Sequence, residues 1–430
     1  MLINKVKQIL HNRVFANMQW LVIERIIQMM IALVINMITA RYLGVDNYGI
    51  INYVASFVSF FTPICSLGLE GIIVRELIDH PKKQGQIIGT AMGMRMLSSI
   101  LSMIAILLVL TILNPGDKVM LIVAFLESLI LIFNTADLFE FWYQSRLESK
   151  ESVKMKVAAY FLVAIYKILI LLFHKSIYWF AVTNTLDMVC VYIFLMLSYK
   201  RNGGEKLRFS FKLGKNMLKI SYNFIISGVM VAIYAQMDKI MLGQMLDTTA
   251  VGLYSVGIYI CNLWTFIPNA IITSLRPGIM QAKGYSEEAY IKKLKQMYAL
   301  ILWISILYAV LVCVFSKYII WILYGKDFLG ARQPMMIAVW YCGFSLIGCA
   351  RDVWIICEGY QKYSKWFAAA GAITNFILNA LLIPILGMNG AAIATLTTQI
   401  MTGFIVTLFF KDTRENNRLF LEALLLKGIK

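Results

Sequence analysis

Histidine is nearly absent from this chain, and charged residues are scarce. Three histidines occur in 430 residues, none in a close cluster with cysteine, which argues against a zinc site built from Cys and His ligands. His11 and His80 fall in segments expected to be solvated, and His174 lies at the edge of an apolar stretch. Histidine-based acid–base chemistry therefore has little to work with. No glycine-rich loop precedes a Lys-Ser or Lys-Thr pair, so ATP-driven work would need another subunit. The seven cysteines all lie in apolar stretches and give no disulfide framework for an exported domain; they read as small packing residues. Only 15% of residues are charged, where soluble globular domains carry about a quarter. What is present in their place is hydrophobic: 60% of the chain, with a mean hydropathy of +0.73.

Such a composition points to the membrane. A hydrocarbon core takes about 20 residues per spanning helix, so twelve spans use roughly 240 residues and leave short connections. That excludes a large extramembrane catalytic domain. Long apolar runs also exclude a β-barrel, whose strands alternate over about ten residues. Spans are expected at 17–40, 48–68, 86–112, 119–141, 155–174, 177–198, 218–243, 250–274, 297–324, 333–357, 364–386 and 389–410.

The net charge of +17 would suggest nucleic acid in a soluble protein. Its distribution argues otherwise. Of the 40 basic residues, 29 fall in the N-terminal segment, every second connection and the C-terminal segment, while five fall in the alternate connections. The positive-inside rule then places both termini in the cytoplasm, with anionic lipid at the inner face as a further attraction. Residues 1–16 place Lys5, Lys7 and Arg13 among apolar residues without a small-residue cleavage site. An amphipathic segment on the cytoplasmic surface is expected there, with no cleavable signal.

The basic connection at 199–217, with Gly203-Gly204, divides the chain. The expected organisation is a six-helix bundle at 1–199, a cytoplasmic linker at 200–217, a second six-helix bundle at 218–410 and a basic tail at 411–430. The halves echo each other. Leu43-Gly44, Tyr48-Gly49, Pro63 and Ser66 in the first correspond to Leu242-Gly243, Gly252-Leu253-Tyr254, Pro268 and Ser274 in the second. Lys156-Val157-Ala158-Ala159 corresponds to Lys365-Trp366-Phe367-Ala368. Two halves of six spans share one orientation, so an all-α integral membrane fold with a pseudo-two-fold axis along the membrane normal is expected.

Ala40-Arg41-Tyr42-Leu43-Gly44 followed by Tyr48-Gly49 resembles the end of the first span in bacterial polysaccharide flippases of the Wzx type. These O-antigen or capsule repeat-unit exporters belong to the multidrug/oligosaccharidyl-lipid/polysaccharide superfamily. Gly68-Leu69-Glu70-Gly71 through Arg75-Glu76 is similar to their second-span exit. Asp238-Lys239-Ile240-Met241-Leu242-Gly243 followed by Val251-Gly252-Leu253-Tyr254-Ser255 resembles their seventh-to-eighth span junction. Val45 departs from the proline that many relatives carry, and the extra span pair of many lipid II flippases is missing. The resemblance implies a flippase, not an enzyme, in the bacterial inner membrane. Its substrate would be a polyprenyl-diphosphate-linked oligosaccharide, moved to the outer leaflet by alternating access. No cofactor is implied; glycan polymerases would be partners.

Six basic residues remain inside spans, and ionisable groups in hydrocarbon are the default functional candidates. Arg25 and Arg95 lie at matching depth, roughly 12–14 Å in by the helical rise, and Lys167 lies mid-span. Guanidinium forks bind phosphate oxygens in bidentate fashion, and lysine adds a point charge. Arg25, Arg95 and Lys167 are therefore expected to line a cationic cavity between the halves and bind the diphosphate. The competing assignment pairs each with an acid, for which Glu24, Glu127, Asp137 and Asp187 are available; Glu24, adjacent to Arg25, needs a partner from another span. Asp187, Glu127, Asp137 and Asp238 are candidates for H⁺ or Na⁺ coupling, or simply counter-ions. Arg351 and Asp352 pair locally or gate the cytoplasmic mouth. Asn375 and Asn379 share one helical face and, with Asn269, Gln399 and Thr397-Thr398, line the second half or glue helices together. A multidrug exporter on the same fold is the closest alternative, and a membrane-embedded glycan polymerase or ligase a more distant one. The apparent surplus of Arg and Lys in the first half favours an anionic substrate over cationic drugs.

Overall fold

In the computed structural model, the backbone of residues 2–428 and the side chains of residue 20 and residues 23–428 are described. The amphipathic character expected at residues 1–16 lies outside the described side chains. Every regular element among the described residues is helical. Eleven segments are long and apolar enough to cross a membrane, and the first of them, Ile23–Asp79, is 57 residues long. A helix of that length would run about 85 Å, nearly three bilayer cores. It does not run straight: Gly44 interrupts it with φ 72° and ψ 175°, a conformation open to glycine because it lacks a Cβ. Two crossings therefore meet at Gly44, which accounts for the twelve expected spans.

The chain divides into two compact units, one of Met1–Leu43 with Val54–Val229, the other of Gly44–Tyr53 with Met230–Lys430. In the first, the long kinked helix α1 (Leu2–Ser66) is followed by a short α2 (Glu70–Asp79) and then α3 (Gln84–Leu113). The fourth span is broken. It runs through α4 (Lys118–Ser128), a single turn α5 (Ile130–Phe133), a 3₁₀ turn at Asn134–Ala136 and α6 (Asp137–Ser145). No proline lies in the break; the polar run Asn134-Thr135-Ala136-Asp137 does. α7 (Ser149–Leu172) and α8 (Ile177–Arg201) complete the set. Their core packs Leu69, Ile73, Ile88, Phe139, Trp142, Tyr143 and Leu195.

α9 (Phe211–Met245) leads into the second unit. There α10 (Thr248–Asn262) and α11 (Phe266–Lys283) form one interrupted span, followed by α12 (Glu287–Tyr324) and α13 (Arg332–Cys357). α14 (Ser364–Leu386) comes next, and the last span is α15 (Met388–Ile400), a π-turn at Met401–Ile405 and α16 (Val406–Phe409). A final helix α17 (Arg414–Leu424) packs through Leu419, Phe420 and Ala423.

The repeated glycines meet inside this second unit. A Cβ on Gly49 would lie 1.8 Å from the Thr248 carbonyl oxygen, and one on Gly252 would lie 2.3 Å from that of Val45. Both distances are impossible for a real side chain, so these backbones touch only because both positions are glycine. Thr248 Oγ1 donates to Asp46 Oδ1 at 2.7 Å across the same junction.

Candidate functional site

Polar side chains in the first unit gather on α1, α3, α7, α8 and the broken fourth span. Arg95 on α3 is 4% exposed. Its Nη2 donates to the Asn134 carbonyl at 3.3 Å and stands 3.6 Å from Asp137 Oδ2. One turn further along α3, Ser99 donates to the Leu131 carbonyl at 2.8 Å. Both acceptors lie in the break, where helical bonding lapses and carbonyls need partners because lipid supplies none. Arg95 thus satisfies the break while Asp137 balances its charge. Arg95 Nη1 remains buried without a hydrogen-bond partner.

Lys167 on α7 donates to Asp187 on α8 at 2.9 Å. The pair lines a cavity of about 250 Å³ with Gln28, Tyr160 and Asn184 among its other walls. Asn184 donates to both oxygens of Glu127, at 3.3 and 3.2 Å, and Glu127 is only 2% exposed. Arg25 is exposed, with Nη1 donating to Gln28 at 3.1 Å. The sequence-derived trio is therefore distributed: Lys167 on the cavity wall, Arg25 bonded to a residue of that wall, and Arg95 at the helix break.

Glu24 finds its partner in another span. Lys156 on α7 stands 2.6 Å from Glu24 and 2.8 Å from Glu140 on α6. Neither Lys156, noted in the sequence only for the internal repeat, nor Glu140 was expected in the site. Their spacing gave a signal: Lys156 lies three turns before Lys167, close to the same face of α7. With this triad included, the polar cluster of the first unit carries Glu24, Glu127, Asp137, Glu140 and Asp187 against Arg95, Lys156 and Lys167, with Arg25 exposed beside it. The expected cationic surplus is absent, because carboxylates from neighbouring helices balance these cations.

The second unit holds a different arrangement around Asp238 on α9, which is 5% exposed. Asp238 Oδ1 accepts from Asn375 at 3.0 Å and Asn379 at 2.7 Å. Oδ2 accepts from Tyr254 at 2.7 Å and from Thr395. Every one of these donors is neutral, so the carboxylate charge is solvated by amides and hydroxyls. Asn379 also donates to Asn375 Oδ1 at 3.0 Å, as their four-residue spacing on α14 allows. Tyr254 follows Gly252 by two residues on α10, so the close glycine contact at Gly252 also positions a ligand of Asp238. The donor set suits a proton or a small monovalent cation. A single negative charge suffices for either, and rotating the two amides would present carbonyl oxygens in place of NH₂ groups. No group of three or more His, Cys, Asp or Glu side chains that could hold a metal occurs among the described residues.

Arg351 on α13 donates through Nη1 to the Thr402 carbonyl at 2.5 Å and through Nη2 to Asp352 at 3.1 Å. Thr402 lies in the π-turn, whose wider winding releases a carbonyl. The guanidinium also sits 4.5 Å from the Phe367 ring centroid.

Comparison with known proteins places this geometry. Residues 14–283 match the family model described as polysaccharide biosynthesis protein. No curated protein sequence gives a significant match. Among solved structures, the fold is similar to MurJ, a lipid II flippase in an inward closed conformation, at TM-score 0.72 and 15% identity, over 94% of this chain and 90% of that one. It is similar to a multidrug resistance MATE family transporter of the MOP superfamily in its inward-facing conformation, at TM-score 0.68 and 11% identity, over 91% and 95%. It is also similar to a MOP superfamily transporter from Pyrococcus furiosus described by the reverse polarity of its binding pocket, at TM-score 0.54 and 10% identity, over 96% and 94%. At such identities the likeness concerns the fold. Matched over more than half its length, the chain is a member of the polysaccharide biosynthesis protein family, built on the all-helical fold of the MOP superfamily transporters.

Proposed function

We propose that this protein is a flippase for polyprenyl-diphosphate-linked oligosaccharide repeat units. It carries them from the cytoplasmic to the outer leaflet by alternating access, coupled to H⁺ or Na⁺. Membership in the polysaccharide biosynthesis protein family supports a glycan-bearing substrate. The observation that carries the chemistry is Lys167: its ammonium lies on the wall of the 250 Å³ cavity, held by one carboxylate at 2.9 Å. A phosphate oxygen can replace that carboxylate without leaving the cation unpaired, so the resting pair keeps the cavity neutral and the substrate takes over one partner. Arg25, through Gln28, stands ready to add a guanidinium fork. Arg95 acts by holding the broken span. Asp238 is the coupling carboxylate: its hydrogen-bond donors are all neutral and Lys239 acts on it only as an electrostatic neighbour on α9, while Asp187 and Asp137 each form a direct ion pair. Both termini lie in the cytoplasm in this reading.

The second reading is a multidrug exporter, favoured by Glu127, a buried carboxylate hydrogen-bonded, among the described residues, by the Asn184 amide and suited to a cationic drug. One experiment separates the two. In cells whose own flippase is deleted, the protein should restore surface glycan, and Lys167→Gln at normal abundance should not. Unchanged surface glycan with the variant removes the diphosphate role from Lys167. Restored drug resistance without any surface glycan selects the exporter.

A further inference from the structure

The positive-inside rule reads Lys82, Lys83, Lys206 and Arg208 as markers of topology, but their placement goes further. All four line one cleft of about 430 Å³, together with Gln86 and Glu205. Two of them are fixed by the backbone. Gly85, Gly89 and Gly93 lie at four-residue intervals along one face of α3, and residues 205–209 run over them. A Cβ on Gly85 would fall 2.4 Å from the Lys206 carbonyl oxygen, and one on Gly89 2.6 Å from the Arg208 nitrogen. Arg208 N donates to the Gly85 carbonyl at 3.0 Å, and Ser210 N to Thr90 Oγ1 at 3.0 Å. Tyr199 pins the other end by donating to the Glu205 carbonyl at 2.8 Å.

The cleft's single carboxylate is already engaged. Glu205 Oε2 accepts from Gly85 N at 2.8 Å, in the first turn of α3. Among the described residues, none of the four cations takes part in an ion pair. Four like charges are thus gathered by an ordered strap and a helix start, with their repulsion left for a ligand to relieve.

We propose that this cleft is a binding site for an anionic phosphate group, separate from the cavity at Lys167. A phospholipid headgroup of the adjoining leaflet and a soluble phosphate share that chemistry. The test is calorimetric titration of the purified full-length protein with dioctanoyl-phosphatidylglycerol, dioctanoyl-phosphatidylcholine and inorganic phosphate. Phosphatidylglycerol should bind and phosphatidylcholine should not. The variant carrying Lys82→Gln, Lys83→Gln, Lys206→Gln and Arg208→Gln should bind at least about tenfold more weakly. Affinity of the unmodified protein should fall as salt is raised from about 0.05 to 0.5 M. Loss confined to phosphatidylglycerol identifies a lipid headgroup site, and equal loss for inorganic phosphate identifies a soluble phosphate site. Binding of neither anion, or binding indifferent to salt, overturns the proposal. The salt titration decides it even if the fourfold variant fails to fold. With a folded variant, undiminished affinity overturns it as well.

Discussion

Lys167 forms an ion pair with Asp187, and a double substitution separates that structural role from the proposed substrate role. Breaking a buried ion pair from one side strands a charge and typically removes about 3–5 kcal/mol of stability. Lys167 and Asp187 are 14% and 20% exposed in their side chains, so the lower end of that range applies. Asp187→Asn alone should therefore lower the thermal midpoint in detergent more than the pair Lys167→Gln with Asp187→Asn, which strands nothing. If Lys167 only stabilises the bundle, export recovers along with the midpoint in the double variant. If it receives the diphosphate, the midpoint recovers and export does not. Charge within apolar runs was legible in the sequence: Arg25, Arg95 and Lys167 stand out because charge in hydrocarbon is rare. Partners were not legible, because facing depends on helix rotation. Glu24 had to look to another span, but only the folded chain shows that this is Lys156.

At the scale of elements, close backbone approaches matter more than propensity. Gly89 is ordinary in the sequence, yet it lies beneath the strap that joins the two sets of spans. Gly89→Val would drive a branched side chain into the Arg208 backbone, where even a Cβ would sit at 2.6 Å. The strap should lift from α3 while the helix itself survives, since valine costs a helix only a few tenths of a kcal/mol more than most residues. Limited trypsin digestion reads this out directly: cleavage at Lys206 and Arg208 should accelerate in the variant, at unchanged cleavage elsewhere. Equal rates would show that the strap is held by its hydrogen bonds at Glu205 and Ser210 rather than by the glycine track. Apolar run length made the spans themselves legible. The irregular turns were not, because neither Asn134–Ala136 nor Met401–Ile405 contains a proline to announce it. Each is recognised in the structure by the arginine that takes its freed carbonyl, Arg95 in one case and Arg351 in the other.

On the scale of the whole molecule, the buried carboxylates of the two units differ in how they are held. Carboxylates and cations form direct ion pairs in the first, at Arg95, Lys156 and Lys167, whereas Asp238 in the second is hydrogen-bonded, among the described residues, by neutral donors. A paired carboxylate is a poor place to exchange a cation, because the resident ammonium or guanidinium competes. A carboxylate held by hydroxyls and amides can take up a proton or Na⁺ and surrender it again, with little rearrangement beyond amide rotation. Asp238 on α9 is held by donors from α10, α14 and α15, so in the proposed coupling a bound ion would alter contacts among four helices at once. That is the differential interaction a coupled conformational change requires. Asp238→Asn keeps the size and two acceptor or donor positions but removes the charge. In vesicles, substrate flipping by the unmodified protein should slow when one gradient, proton or sodium, is collapsed, and the variant should flip at one slow rate under every condition. The identity of the ionophore that acts names the coupling ion. A variant that stays gradient-sensitive would move coupling away from Asp238 and leave Glu127, hydrogen-bonded among the described residues by Asn184, as the carboxylate to test next.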